Sequence, residues 1–118
     1  PYLFIMQGLP GAGKSFYVKG ALGMHPGAVV VSADRYPGLY VHDEAGRPVI
    51  VPHLMRPAHG ACFREAVRAV LAGQTVIVDN TNTTLAEVAP YVMLAMAYGH
   101  APVIVRVTAD PAVCAARN

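Results

Sequence analysis

The sequence predicts a three-layer α/β/α domain: a parallel sheet of four strands covered by helices on both faces. Three observations predict it. Apolar runs suited to buried strands recur at Tyr2–Gln7, Ala28–Ser32, Thr75–Asp79 and Pro102–Thr108. Helical stretches at Lys14–Leu22, Ala58–Ala72 and Leu85–Tyr98 alternate with them. The strand runs are also near-continuous in Val and Ile rather than alternating with polar residues, as strands buried on both faces are.

The first strand, Tyr2-Leu3-Phe4-Ile5-Met6, runs into Gly8-Leu9-Pro10-Gly11-Ala12-Gly13-Lys14-Ser15, which reads G-x-x-x-x-G-K-S. A strand that stops here, with a helix starting at Lys14, aims several backbone N–H groups at an anion beside the helix N-terminus. Gly8, Gly11 and Gly13 supply the backbone freedom and close approach that such a bend needs. This is the pattern of a P-loop, in which Gly8 to Ser15 cradle phosphates. Lys14 is expected to reach the β/γ-phosphates, and the Ser15 hydroxyl to ligate Mg²⁺. The expected cofactors are therefore ATP and Mg²⁺. A plain Gly-rich turn with an exposed Lys is the alternative, but it does not account for the strand before and the helix after.

Beyond the second strand, Tyr40-Val41-His42 and Pro48-Val49-Ile50-Val51 flank Asp43-Glu44-Ala45-Gly46, which predicts a small surface hairpin near the ligand edge. In the second helix Cys62, Phe63, Ala66, Val67 and Val70 share one face, opposite Arg64, Glu65 and Arg68. Gly73 and Gly99 stand where helix C-caps belong. Thr84-Leu85-Ala86-Glu87 has the spacing of a capping box. Pro90 leaves two readings of the third helix: one helix holding a proline, or a turn that restarts with Pro90 first.

Composition narrows the class. The 118 residues are 54% hydrophobic and 14% charged, which fits one globular domain and not a disordered chain. No apolar run reaches the roughly 18 residues of a membrane span, and the first residues do not read as a signal peptide. Cys62 and Cys114 do not suggest a disulfide framework, so the expected setting is the reducing cytoplasm. A net charge of +2 without a basic block announces no nucleic acid. The first residue is Pro and Ala112–Asn118 reads as a helix just beginning, so the sequence is expected to be a portion of a longer protein.

All strands of a parallel sheet end on one side, where ligands bind. Three motifs follow three strands there: the phosphate loop, Ser32-Ala33-Asp34-Arg35-Tyr36, and Asp79-Asn80-Thr81-Asn82-Thr83. Asp34 can take the proton of an attacking hydroxyl, or it can cap a turn. Asp79 ends a strand of apolar residues, where a carboxylate can hold Mg²⁺ or close an Asx turn. Asn80, Thr81 and Asn82 are expected to stabilise the turn more than to meet substrate. His59 and Cys62 are spaced like half a zinc site, but the second pair is missing, so His59 is expected to bond within the protein near the cleft. Arg35 could meet an anionic acceptor or stay solvated, Arg106 reads as structural, and Arg117 could open a lid.

Together, GLPGAGKS, VSADRY, Ala58–Cys62, VIVDNTNT, PYVMLAMAYGH and the terminal CAARN resemble the polynucleotide-kinase-like P-loop kinases over nearly the whole chain. The resemblance implies an ATP-dependent phosphotransferase in which Asp34 is the general base and Lys14 and Ser15 are the phosphate-loop pair. It implies a strand order of 2-3-1-4 over the portion present. Two departures matter. Pro37 stands where the phage enzyme of this family has an Arg on acceptor phosphate, and the family continues past an Arg-Asn like Arg117-Asn118 into a lid and a last strand.

The reading is then a kinase that moves the γ-phosphoryl group of ATP to an acceptor hydroxyl. A nucleic-acid 5′-hydroxyl leads by resemblance, with a nucleoside or sugar close behind. The alternatives are an ATPase with water as nucleophile and a nucleotide-binding module without an acceptor. Oligomeric state has no signature in these residues.

Overall fold

In chain order the elements are β1 (Tyr2–Gln7), α1 (Lys14–Met24), β2 (Val29–Val31), a 3-10 turn (Ala33–Arg35), β3 (Tyr40–His42), β4 (Pro48–Ile50), a second 3-10 turn (Pro52–Leu54), α2 (Met55–Leu71), β5 (Val76–Asp79), α3 (Leu85–Tyr98) and β6 (Ala101–Arg106). The computed structural model describes residues 1–9 and 13–108. Four strands pair in the order β2-β5-β1-β6, every pair parallel, with Ile5 opposite Val78 on one side and Ile104 on the other. This is the order 2-3-1-4 that the resemblance implied.

Strand periodicity divides the core into two layers. Leu3, Ile5, Val31, Val76 and Val78 point to one face and pack against Ala58, Cys62, Ala66, Ala69 and Val70 of α2 and Val88, Tyr91, Leu94 and Ala95 of α3. Met6 and Ile77 point to the other face and meet Val18 of α1, with Phe4, Ala21, Leu22, Val30 and Val105 around them. Cys62, Ala66 and Val70 form the expected inner stripe of α2, while Arg64, Glu65 and Arg68 are exposed.

Helix ends follow local chemistry. Thr84 Oγ1 accepts the Glu87 backbone N–H at 3.3 Å and donates to Glu87 Oε1 at 3.0 Å, closing the capping box at the start of α3. Pro90 lies inside α3, which runs on without a restart. The carbonyl that loses its partner is that of Ala86 in the exposed first turn, where water can serve it. Both α2 and α3 end at a left-handed glycine, Gly73 at φ 73° and Gly99 at φ 79°. The next residue then folds its N–H back onto the helix, Gln74 to Ala69 O at 3.0 Å and His100 to Ala95 O at 2.9 Å. α2 starts three residues before the predicted Ala58, because the 3-10 turn with Pro52 in front feeds straight into it.

The hairpin of β3 and β4 pairs Tyr40 with Ile50 and His42 with Pro48. Asp43 holds its turn by accepting the N–H groups of Ala45 and Arg47, each at 2.9 Å. All six strand residues are exposed, and the hairpin is rooted by the buried Leu39, whose carbonyl accepts the Val51 N–H at 2.8 Å.

Candidate functional site

The C-terminal edge of the sheet is laced together by backbone and amide groups. Gly8 N–H donates to Thr81 O at 3.0 Å, Gln7 Nε2 to Asn82 O at 2.8 Å, and Asn82 Nδ2 to Met6 O at 2.7 Å. Val107 N–H donates to Gln7 O at 2.8 Å from the other side. A Cβ at Gly8 would stand 3.0 Å from the Val107 carbonyl oxygen, so only glycine lets the chain leave β1 this close to its neighbour. Asn82 is buried with φ 50°, a left-handed conformation that Asn tolerates better than most residues. Asn80 and Asn82 therefore act as turn stabilisers, in line with the sequence reading.

Of the predicted phosphate-loop residues, Gly8, Leu9, Gly13, Lys14 and Ser15 are described, while Pro10, Gly11 and Ala12 lie outside the described residues. Gly13 precedes α1 with φ 90°, a conformation that strains any residue with a Cβ, and no side chain caps the helix there. Phe16 N–H turns back to Gly13 O at 3.1 Å, and the N–H groups ahead of it are those that a helix start offers to an anion. Lys14 Nζ lies 3.4 Å from Asp79 Oδ1. That oxygen is hidden from solvent and has no hydrogen-bond partner among the described residues, so Lys14 meets it as a charge only. An Asx turn would have bonded the Asp79 carboxylate to nearby N–H groups, and among the described residues none does so.

Asp34 sits in the 3-10 turn after β2. The cap of that turn is Ser32, whose Oγ accepts the Asp34 N–H at 3.2 Å, which leaves the Asp34 carboxylate free of capping duty. Its Oδ1 accepts a hydrogen bond from Tyr40 OH at 2.8 Å, and the side chain is exposed. This bond, and then partial burial beside the Asp34 charge, push the Tyr40 phenol above its ordinary range. The turn is moored from below: Asn80 Oδ1 accepts the buried Ala33 N–H at 2.9 Å, while Asn80 Nδ2 reaches Cys62 Sγ at 3.6 Å.

The structure thus brings Lys14 and Asp79 into contact and sets Asp34 on the neighbouring strand end. Arg35 donates to Val30 O at 2.9 Å and Arg106 to Gln7 Oε1 at 3.0 Å, so both bond within the protein. Arg117 lies outside the described residues. Cys62 is buried under Tyr91, whose hydroxyl donates to Sγ at 3.4 Å. Among the described residues no group of three His, Cys, Asp or Glu could hold a metal ion alone. Against the expectation that it bonds within the protein, His59 lines a cavity and makes no hydrogen bond among the described residues. One contributor escaped the sequence reading: Tyr40 was read only as a strand residue, and its bond to Asp34 had no signal in the sequence.

A family model described as an AAA domain matches residues 3–118. The chain belongs to this family. The AAA-domain fold of this chain is also that of several solved structures. One is a Pnkp1/Rnl/Hen1 complex, with a TM-score of 0.79 and 20% identity over 99% of this chain and 38% of that one. A second, the Pnkp1/Rnl/Hen1 RNA repair complex, has a TM-score of 0.77 and 20% identity over 99% of this chain and 36% of that one. A presumed kinase from Chloroflexus aurantiacus has a TM-score of 0.73 and 20% identity over 99% of this chain and 63% of that one. The chain spans less than two thirds of the length of each. At this identity the likeness is one of fold: the parallel four-stranded sheet with helices on both faces that the sequence predicted. No described helix of this AAA domain is long and apolar enough to cross a membrane.

Proposed function

We propose that this domain transfers the γ-phosphoryl group of ATP to an acceptor hydroxyl, with Gly8 to Ser15 holding the phosphates. The observation that carries the reading is the pairing of Lys14 with the shielded Asp79 Oδ1, which has no hydrogen bond among the described residues, on the strand next to an exposed Asp34 that caps nothing. Asp34 is the general base. Tyr40 engages Oδ1, which leaves Oδ2 to accept the hydroxyl proton as the acceptor oxygen attacks the γ-phosphorus and the bond from that phosphorus to the bridging oxygen breaks, releasing ADP. Lys14 stabilises the charge that develops on the transferring group.

Ser15 and Asp79 are the residues that would hold Mg²⁺. An oxygen-only donor set suits it, and Asp79 Oδ1 is a buried acceptor without a hydrogen bond among the described residues. With so few protein oxygens, the ion would take its remaining ligands from phosphate and water. When bound, it would neutralise phosphate charge.

A nucleic-acid 5′-hydroxyl is the leading acceptor. It is supported by the sequence resemblance and by the RNA repair complex among the structures of the same fold. Pro37, in place of an acceptor-binding Arg, keeps nucleosides and sugars in the comparison. The test is labelled γ-phosphate transfer by the protein across RNA and DNA 5′-hydroxyl ends, nucleosides and sugars. Asp34→Asn is expected to bind ATP normally and to lose about 10²–10⁴-fold in transfer rate, the range of a general base. Near-normal transfer by that variant refutes Asp34 as base. ATP turnover indifferent to every acceptor would instead favour hydrolysis.

A further inference from the structure

The turn that carries Asp34 is fixed through its backbone and its neighbours. Ser32 Oγ accepts the Asp34 N–H, Asn80 Oδ1 accepts the Ala33 N–H, and the Tyr36 N–H donates to Ala33 O at 3.1 Å. Arg35, next in the chain, turns its guanidinium back to Val30 O. These bonds set where the Asp34 backbone lies. They leave its side-chain torsions open, and an exposed carboxylate left to itself samples several rotamers. Among the described residues a single group holds this one, the Tyr40 hydroxyl at 2.8 Å from Oδ1.

The phenol is itself well anchored. Tyr40 directly follows Leu39, the buried root of the hairpin, whose carbonyl accepts the Val51 N–H and whose own N–H donates to Tyr36 O at 3.2 Å. A tyrosine ring turns about only two torsions, so little freedom is lost in holding its hydroxyl. That hydroxyl has one proton to give, and an ionised carboxylate only accepts, so the bond has one direction. The charge and hydrogen bond of Asp34 push the phenol above its ordinary range, so it keeps the proton it donates. Oδ1 is thereby engaged, and Oδ2 accepts no hydrogen bond among the described residues.

We infer that Tyr40 is a positioning residue for phosphoryl transfer, its hydroxyl clamping Oδ1 of Asp34 so that Oδ2 is presented to the acceptor hydroxyl. This role rests on the phosphoryl-transfer reading and makes the surface hairpin a part of the catalytic apparatus. As the acceptor oxygen bonds to the γ-phosphorus and ADP leaves, the hydroxyl proton passes to Oδ2. Tyr40 exchanges no proton and acts only through Asp34.

The experiment measures transfer of labelled γ-phosphate to the acceptor that the parent protein turns over best. It compares the parent with Tyr40→Phe, Asp34→Asn and the two substitutions together. Tyr40→Phe removes only a hydroxyl from an exposed residue, so its unfolding midpoint should match the parent's. Its kcat should fall about ten- to hundredfold, the worth of a hydrogen bond to a charged group. The KM for ATP should stay within about twofold of the parent value. In the Asp34→Asn background, adding Tyr40→Phe should change the residual rate by less than about twofold, because no base remains for the phenol to aim. A merely structural tyrosine would cost the same factor in both backgrounds. Val41→Ala, on the other face of the same strand, should keep the parent kcat. Equal losses in both backgrounds, a loss confined to the KM for ATP, or a Tyr40→Phe protein with the parent kcat overturns the role of Tyr40 and leaves phosphoryl transfer standing. A parent protein that phosphorylates no acceptor overturns the transfer reading, and the role of Tyr40 falls with it.

Discussion

On the α2–α3 face, Leu3, Ile5, Val31, Val76 and Val78 are wholly buried beneath two helices. On the opposite face, Val18 is the one buried residue of α1, while Phe16, Tyr17 and Met24 stand exposed. The two helical layers thus carry different loads. The α2–α3 layer holds the fold together, whereas α1 presents its first turn, with Gly13 and Lys14, to the sheet edge. Chemistry on the α1 side can therefore be altered with little loss of fold. Changes on the other side disturb stability and the seat of Asp34 together.

Substitutions of core residues probe this contrast most strongly. Ile5→Ala should cost about 2–5 kcal/mol in denaturant unfolding. Val18→Ala should cost only about 1–2 kcal/mol, for fewer buried methyl groups. Phe16→Ala should fall within about 0.5 kcal/mol of the parent. Equal losses at Ile5 and Val18 would erase the proposed division between the faces.

Asn80→Ala sharpens it at the point where structure and chemistry meet. The substitution strands the buried Ala33 N–H, at about 1–3 kcal/mol, and frees the turn that carries Asp34. Stability and kcat for transfer should fall together while KM for ATP stays near its parent value. A rise in the KM for ATP without change in kcat would place Asn80 in the phosphate site instead.

The smallest effect is alkaline. Burial pushes the Cys62 thiol up, against the lowering influence of its Tyr91 and Asn80 hydrogen bonds. Burial, and then the bond to Cys62, push the Tyr91 phenol up as well. Both groups hold their protons more tightly folded than unfolded, so their contribution is complete below the ordinary values of 9.0 and 10.0. It is lost as pH rises above those values. Thermal unfolding from pH 8 to 11 should show a decline that Tyr91→Phe makes shallower. A parallel decline in that variant would remove this pair from the account.

Much of this was legible in the residues. The four strand runs, the Thr84–Glu87 box and the glycine ends of α2 and α3 rest on periodicity and turn chemistry within a few residues. Pro90 was ambiguous because its cost depends on whether water reaches the Ala86 carbonyl, which is a matter of exposure. The partners of Asp34 and Asp79 were not legible: Tyr40 reaches Asp34 only because the hairpin folds back, and Lys14, at the start of α1, reaches Asp79 only because β1 and β5 lie side by side.

The sequence by itself determined the alternation of strands and helices, the glycine-rich bend between β1 and α1 as a motif, and the placing of Asp34 and Asp79 after strand ends, since backbone preferences act over short range. Tertiary structure alone decided that Asp79 Oδ1 is shielded while Asp34 is open. It also decided that Asn80 bridges Ala33 and Cys62, 47 and 18 residues away, and that His59 borders a cavity. Those outcomes depend on how two helices settle on a sheet, and packing between distant segments leaves no periodic trace along the chain.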